Sequence, residues 1–274
     1  MLLNMKIIHL SDPHISPDKL FEHDAKERFS LALQHICNNH LDSKLFVISG
    51  DLTHDGDSES YNKLNEILLN SKIPKHLFPK LLMGNHDDRE QFKQIFTKIP
   101  LDENGFVQYF EDIEDQRFIF LDTNLSNTHQ GHFCNKRQSW LINTLENASD
   151  NNKQVYLFMH HNPLPLGEPT SDYIGLQQGD EFKDILIKFK KIIQHIFFGH
   201  QHITVSGNYL NIPFSAPRST WSPLVPNFSK NYRLGTANTD PNYNVILINK
   251  NSLVVHTEDF LKDNINWFET TKKF

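Results

Sequence analysis

Lys6-Ile7-Ile8-His9-Leu10-Ser11-Asp12-Pro13-His14 begins as an almost continuously apolar run and ends in a carboxylate and an imidazole two residues apart. Such a run reads as a strand covered on both faces of a sheet. The pattern returns four times. Leu45 to Ser49 ends at Gly50-Asp51, and Leu77 to Met83 at Gly84-Asn85-His86-Asp87. Val155 to Met159 ends at His160-His161, and Ile192 to Phe198 at Gly199-His200-Gln201-His202. Each piece alone has a plainer reading. Asp12 could cap a turn or a helix, Gly50-Asp51 and Gly84-Asn85 could be ordinary turns, and a lone histidine usually belongs to the core or the surface. Five in order, each at a strand end, point to a metal site, because cations of this class need Asp, Asn and His on a rigid scaffold.

The segments between these strands read as helices: Lys26 to His40, with apolar positions at Phe29, Leu31, Leu33 and Ile36; Ser58 to Leu69, with Ser58 in the N-cap region; Arg89 to Phe96; Lys136 to Glu146; and Asp180 to Lys191. Phe106 to Phe110 and Phe118 to Leu121 read as a strand pair around an acidic turn, Glu111 to Asp115. The β-α-β-α-β order of the first half predicts a mostly parallel sheet, and the denser strands of the second half predict another sheet packed on it. Pro79 confines the third strand to an irregular entry. Residues 211–243, rich in Pro, Asn and Ser, read as a long loop after the short run Val205-Ser206-Gly207, and Val245 to Ile248 and Leu253 to Val255 close the pattern. One domain over residues 1–274 is expected, with residues 164–179 as a rim or cap and 257–274 as a tail whose Trp267-Phe268 could dock on the body or on a second subunit, making a homodimer.

The spacing gives the candidate residues separate tasks. Asp12 and His14 alternate at period two and form a pincer for one cation. Asp51 carries two oxygens that can touch two cations at once, as a site with metals about 3.5–4 Å apart requires. Asn85 offers a neutral oxygen, His200 and His202 repeat the period-two arrangement, and His160 completes a second set. Of the ten other histidines, His9, inside a strand, is read as core or surface. His129, His132 and His195 are read outside the ligand set, as is His54, with a place at the mouth of the site as its lesser alternative.

Composition narrows the partners. The net charge is −6 over 274 residues, so a large basic footprint for nucleic acid is not expected. The 21 phenylalanines predict an aromatic-rich core. Cys37 and Cys134 lack CxxC spacing and read as small, largely buried thiols in a reducing compartment. No stretch approaches the roughly 18 apolar residues of a membrane span, and no basic segment leads into an apolar one near Met1. A soluble cytoplasmic protein is expected.

Taken together, Asp-x-His, Gly-Asp, Gly-Asn-His-Asp, His and Gly-His-x-His, in order over residues 12–202, resemble the calcineurin-like metallophosphoesterase superfamily. The opening Ile7-Ile8-His9-Leu10-Ser11-Asp12-Pro13-His14, His160-His161 followed by Pro163 and Pro165, Asp172 with Leu176, and the Pro217-Arg218-Ser219-Thr220 loop resemble its cyclic-nucleotide and glycerophospho-diesterase branch. The resemblance implies an α/β fold with a two-sheet β-sandwich flanked by helices, in four α/β/β/α layers. It also implies two metal ions, iron, manganese or zinc: one held by Asp12, His14, Asp51 and His202, the other by Asp51, Asn85, His160 and His200. A hydroxide bridging the metals would attack phosphorus. His86 and Asp87 become the catalytic pair: His86 faces the substrate, stabilising the phosphate or protonating the leaving alkoxide, and Asp87 orients it. Asn85, His86 and His161 would contact substrate, although His161 could equally pack beside the ligands. The implied reaction is hydrolysis of a 3′,5′-cyclic nucleotide such as cAMP to its 5′-monophosphate. Hydrolysis of glycerophosphodiesters or other small phosphoesters is the alternative, and a non-catalytic scaffold of the same fold is the rival from another class. The chain departs from many relatives at Met83 and Asn162, where they carry proline. Neither change removes a ligand, and Asn162 becomes a candidate lining residue.

Overall fold

A computed structural model describes residues 5–229 and 231–262. In chain order the elements are β1 (Met5–Leu10), α1 (Ala25–Asn39), β2 (Leu45–Ile48), α2 (Ser58–Asn70), β3 (Lys80–Leu81), α3 (Arg89–Ile95), β4 (Tyr109–Ile113) and β5 (Gln116–Phe120). They continue as α4 (Asn135–Asp150), β6 (Gln154–Phe158), α5 (Pro169–Ile174), α6 (Gly179–Phe189), β7 (Ile193–Phe197), β8 (Val205–Tyr209) and β9 (Ile212–Ala216). The last are β10 (Leu224–Val225), β11 (Gly235–Thr236), β12 (Asn242–Asn249) and β13 (Ser252–Asp259).

Two mixed sheets result. The first runs β13-β12-β1-β2-β3, with β1, β2 and β3 parallel; the second runs β4-β5-β6-β7-β9-β8, with β5, β6, β7 and β9 parallel. The alternation of side chains along the second sheet explains the layering. Phe118, Phe120, Tyr156, Phe158 and Phe197 join the core under the first sheet. Ile119, Leu121, Val155, Leu157, Ile196 and Phe198 point the other way, onto α4 and α6. The expected aromatic core is present, with Phe158 and Phe197 stacked at 4.7 Å. His9 and His195 are buried against the same rings.

Several expectations need correction. The strand expected over Leu77 to Met83 shrinks to β3, because a 3-10 turn occupies Lys75–Leu77 and Pro79 cannot donate to a ladder. The acidic stretch is not all turn: Glu111 and Asp112 lie in edge strand β4, which is half open to solvent, and Asp112 pairs with Arg117. The long loop over residues 211–243 contains β9 and the small β10–β11 ribbon. The proline of β9, Pro213, precedes the parallel pairing with β7, which begins at Phe214, so its missing N–H costs no bond there. Asp57, not Ser58, caps α2, and Asp24 caps α1. Leu31 is 38% exposed rather than part of the core face of α1. Cys37 and Cys134 are free and only partly buried. Residues 257–259 of the expected tail belong to β13, whereas Trp267-Phe268 lie outside the described residues. Among the described residues, no helix is long and apolar enough to cross a membrane.

Candidate metal centre

All five motif pieces leave their strands on the same edge of the sandwich. The loop after β1 lies along the loop after β2: the Asp12, His14 and Ile15 amides donate to the carbonyls of Gly50, Asp51 and Leu52. Within the second sheet Gly199 N donates to His160 O, and that sheet joins the first through His200 N, which donates to both Asp12 oxygens at 3.2 and 3.0 Å. Ser219 Oγ donates to Asp12 O at 2.7 Å, tying in the Pro217–Thr220 loop. The packing is tight enough to demand glycine. A Cβ at Gly84 would lie 2.1 Å from Asp51 N, and one at Gly199 would lie 1.8 Å from Ser11 Oγ.

Period two is not what aims these side chains. Asp12, His14, Asp51, His200 and His202 all sit at positive φ, between 46° and 69°. Left-handed backbone is uncommon outside glycine, although Asp and His tolerate it better than most, and it costs on the order of 1–3 kcal/mol per residue. Five such residues in one place mark a site whose geometry the surrounding fold enforces.

Asp51 is the hinge of the arrangement. Its Oδ2 is 3.3 Å from His14 Nε2, and its Oδ1 is 3.3 Å from His160 Nε2. Asp12, His14, Asp51 and His202 bring one ligand atom each within 4.8 Å of one another. His160 Nε2 also lies 3.1 Å from Asn85 Oδ1, and His160, His161 and His200 form a second group of the same compactness.

The donor set fits cations. His160 Nδ1 donates to Ser49 O at 2.8 Å and His202 Nδ1 to Ser222 O at 2.7 Å. A carbonyl only accepts, so these contacts hold the proton on Nδ1 and leave Nε2 lone pairs facing the carboxylates. His200 is reversed: Nε2 donates to Ile174 O at 3.2 Å, leaving Nδ1. The same carboxylates favour positive charge at Nε2, be it a proton or a cation. Burial alone would push His160 down, but the Asp51 carboxylate lifts it to about 9, and Asp12 raises His202 against the same burial. Burial would raise the Asp51 carboxyl, yet His160 and His14 hold it well below the usual range. A field that so favours positive charge also favours a metal ion.

His86 lies on the open side of the cluster, its ring 4.8 Å from His14 and 5.0 Å from His54. Its Nδ1 donates to His54 O at 2.7 Å, which leaves Nε2 for the cavity, and its backbone N donates to Asp51 Oδ1 at 2.9 Å. Asp87 does not touch the His86 ring. It accepts from the amides of Gly84, Leu52 and Thr53 and from the Tyr61 hydroxyl, so it orders the turn that carries His86. Burial and then the Asp51 charge push its carboxyl up to about 6.

A cavity of about 800 Å³ opens over this floor. Its walls include Phe21, His54, His129, Trp221, Leu224 and Leu234, with Thr170 and Ile174 of α5. His54 thus occupies the lesser alternative read from the sequence, with Nδ1 3.3 Å from His14 Nδ1. His129, which the sequence places outside the ligand set, has its Nδ1 3.0 Å from Asn85 Nδ2. Two expected contacts lie behind the wall. His161 is fully buried, with Nδ1 2.7 Å from Thr123 Oγ1 and its ring 4.5 Å from His200. Asn162 is buried too, accepting from Gln201 Nε2 at 2.6 Å. Sequence reasoning missed Phe21 and Trp221, which stack at 5.8 Å; the only signal was the position of Trp221 directly after the Pro217–Thr220 loop.

Comparison with known proteins agrees with this geometry. The profile of the calcineurin-like phosphoesterases matches residues 5–204. A probable cyclic nucleotide phosphodiesterase from Rhodopseudomonas palustris is 29% identical over 263 residues, 94% of each chain. A probable glycerophosphodiester phosphodiesterase from Arcobacter nitrofigilis is 30% identical over 203 residues, 72% of each. The crystal structure of a dimetal phosphatase from Danio rerio superposes with a TM-score of 0.69 at 10% identity, over 95% of this chain and 98% of that one. The chain therefore belongs to the calcineurin-like phosphoesterase family and is a phosphoester hydrolase.

Proposed function

We propose that the protein is a dinuclear metal-dependent phosphodiesterase that hydrolyses 3′,5′-cyclic nucleotides such as cAMP to 5′-monophosphates. The carrying observation is Asp51, whose two oxygens face His14 on one side and His160 on the other. Asp12, His14, Asp51 and His202 would hold one cation, and Asp51, Asn85, His160 and His200 the second. When bound, such a pair lowers the pKa of water and neutralises charge on the phosphoryl oxygens.

The chain's own residues supply the rest. His86 keeps Nδ1–H on the His54 carbonyl, so Nε2 is the atom that meets substrate. As an imidazolium it can give that Nε2 proton to the departing 3′-alkoxide. Asp87 holds the turn and thus the ring's position. His161, behind His160 and His200, packs against the ligands rather than meeting substrate. Residues 164–179 act as a rim: α5 contributes Thr170 and Ile174 to the cavity. Phe21 and Trp221 give the cavity an aromatic face suited to a nucleobase. The Arcobacter relative keeps glycerophosphodiesters as the second reading. A panel of cAMP, cGMP, 2′,3′-cyclic nucleotides, glycerophosphodiesters and phosphomonoesters, assayed with added Mn²⁺, tests the choice. Fastest turnover of a 3′,5′-cyclic nucleotide supports it. Inert cAMP beside a rapidly hydrolysed glycerophosphodiester would replace it with the second reading.

A further inference from the structure

The Gly84–Asp87 turn is held from two sides. Asp87 ties it to the loop after β2 through the Leu52 and Thr53 amides and closes it on the turn's own Gly84 amide. From the second sheet comes Asn124, just past β5 and buried. Its Nδ2 donates to Gly84 O at 2.6 Å and to Asp87 O at 2.8 Å, the two carbonyls that bracket Asn85 and His86. Its Oδ1 accepts from Arg89 Nη2 at 3.2 Å. A guanidinium only donates, so this contact fixes which end of the amide faces the turn. Arg89 is itself fixed: it grips Asp122 in bidentate fashion, at 2.7 Å from Nε and 2.9 Å from Nη2. Arg137 Nη1 donates to Asp122 Oδ1 at 3.3 Å and to Asn124 O at 3.0 Å. Backbone amides of Val107 and Asn124 complete the Asp122 carboxylate.

We infer that Asn124, oriented by Arg89, is a positioning residue that clamps the turn so that His86 Nε2 meets the leaving-group oxygen. The inference rests on the substrate-facing role proposed above for His86. Its physical basis is local. The two accepting carbonyls bracket only Asn85 and His86, and truncating Asn124 withdraws both of its donors from buried acceptors. The turn then relaxes toward other partners, and a displacement of about 1 Å at a proton donor is enough to cost roughly a hundredfold in rate. Asn124 touches neither substrate nor reacting atoms.

The test is a double-mutant cycle in the Mn²⁺-loaded protein, with Asn124→Ala, His86→Ala and the pair. Each is assayed on phosphodiesters with an alkoxide leaving group and with p-nitrophenolate, which needs no proton. Asn124→Ala alone is expected to lose roughly 10- to 100-fold in kcat on the alkoxide diester, with much less change on p-nitrophenolate and in KM. In the His86→Ala background the same change is expected to add little. Equal losses on both leaving groups, or losses that multiply in the pair, would overturn the clamp and leave Asn124 as ordinary packing. His86→Ala at wild-type rate would instead remove the role of His86 itself, and the clamp with it. Should Asn124→Ala not fold, Asn124→Ser, which keeps a hydroxyl donor, is judged on the same ratio of leaving groups, with its thermal midpoint as the check on folding.

Discussion

The floor of the cavity and its rim are built differently. The floor sits on strand ends, with close backbone approaches at Gly84 and Gly199 and five left-handed residues that the fold holds in place. The rim is made of loops and short elements: Phe21 is 84% exposed at positive φ and stacked on Trp221, and Tyr173 of α5 meets Tyr232 edge to face at 5.9 Å. A floor so constrained fixes the chemistry, because catalytic geometry tolerates little displacement. A rim held by a few aromatic contacts can change with little cost to the fold, so it is where a family with shared chemistry can vary its substrate.

The largest effect that would break this division is expected at the bridge. Asp51→Ala should abolish turnover by on the order of 10³-fold or more, since it removes charge from both cation sites, and bound Mn²⁺ measured by elemental analysis should fall with it. Retained metal and retained rate would end the two-site reading of the floor.

Next comes the support beneath the floor. Burial pushes His195 on β7 down to about 3. The folded value lies below the ordinary one near 6.5, so the unfolded chain binds the proton first as pH falls. Stability is therefore complete above about pH 6.5 and is lost as the pH drops toward 3, by roughly 3 kcal/mol at pH 4 from this group. Denaturant unfolding of wild type and His195→Gln between pH 7 and 4 should show a shallower acid loss in the variant; parallel curves would assign the acid sensitivity elsewhere.

How much of this was legible depends on the kind of order involved. Asp12, His14, Asp51, His160, His200 and His202 announce themselves because apolar runs ending in ligand residues are a one-dimensional pattern. The left-handed backbones of Asp12, His14, Asp51, His200 and His202 could not be read, since period two suggested the same convergence of the Asp12–His14 and His200–His202 pairs for another reason. His54 and His129 differ from unused histidines only by position in space. Asn124 looks like any loop asparagine until the two sheets are stacked. β9 hid because Pro213 argues against a strand and the pairing that matters begins one residue later.

The rim offers a smaller effect. Phe21→Ala and Trp221→Ala should each raise KM for cAMP by roughly tenfold, the loss of one aromatic contact, while a small alkyl diester is hydrolysed nearly as before. Equal losses on both substrates would make the aromatic pair part of the floor's support. Smallest of all, Leu31→Lys on the outer face of α1 should leave rate unchanged and stability within about 0.5 kcal/mol, as for other open surface positions.

The division between floor and rim depends on Asp51 serving two cations, and one titration addresses that directly. Mn²⁺ is added back to chelator-stripped protein while hydrolysis of bis(p-nitrophenyl) phosphate is followed. Turnover is expected to be absent without metal and to saturate at about two Mn²⁺ per chain. Turnover that survives the chelator, or saturates at one Mn²⁺ per chain, would contradict it.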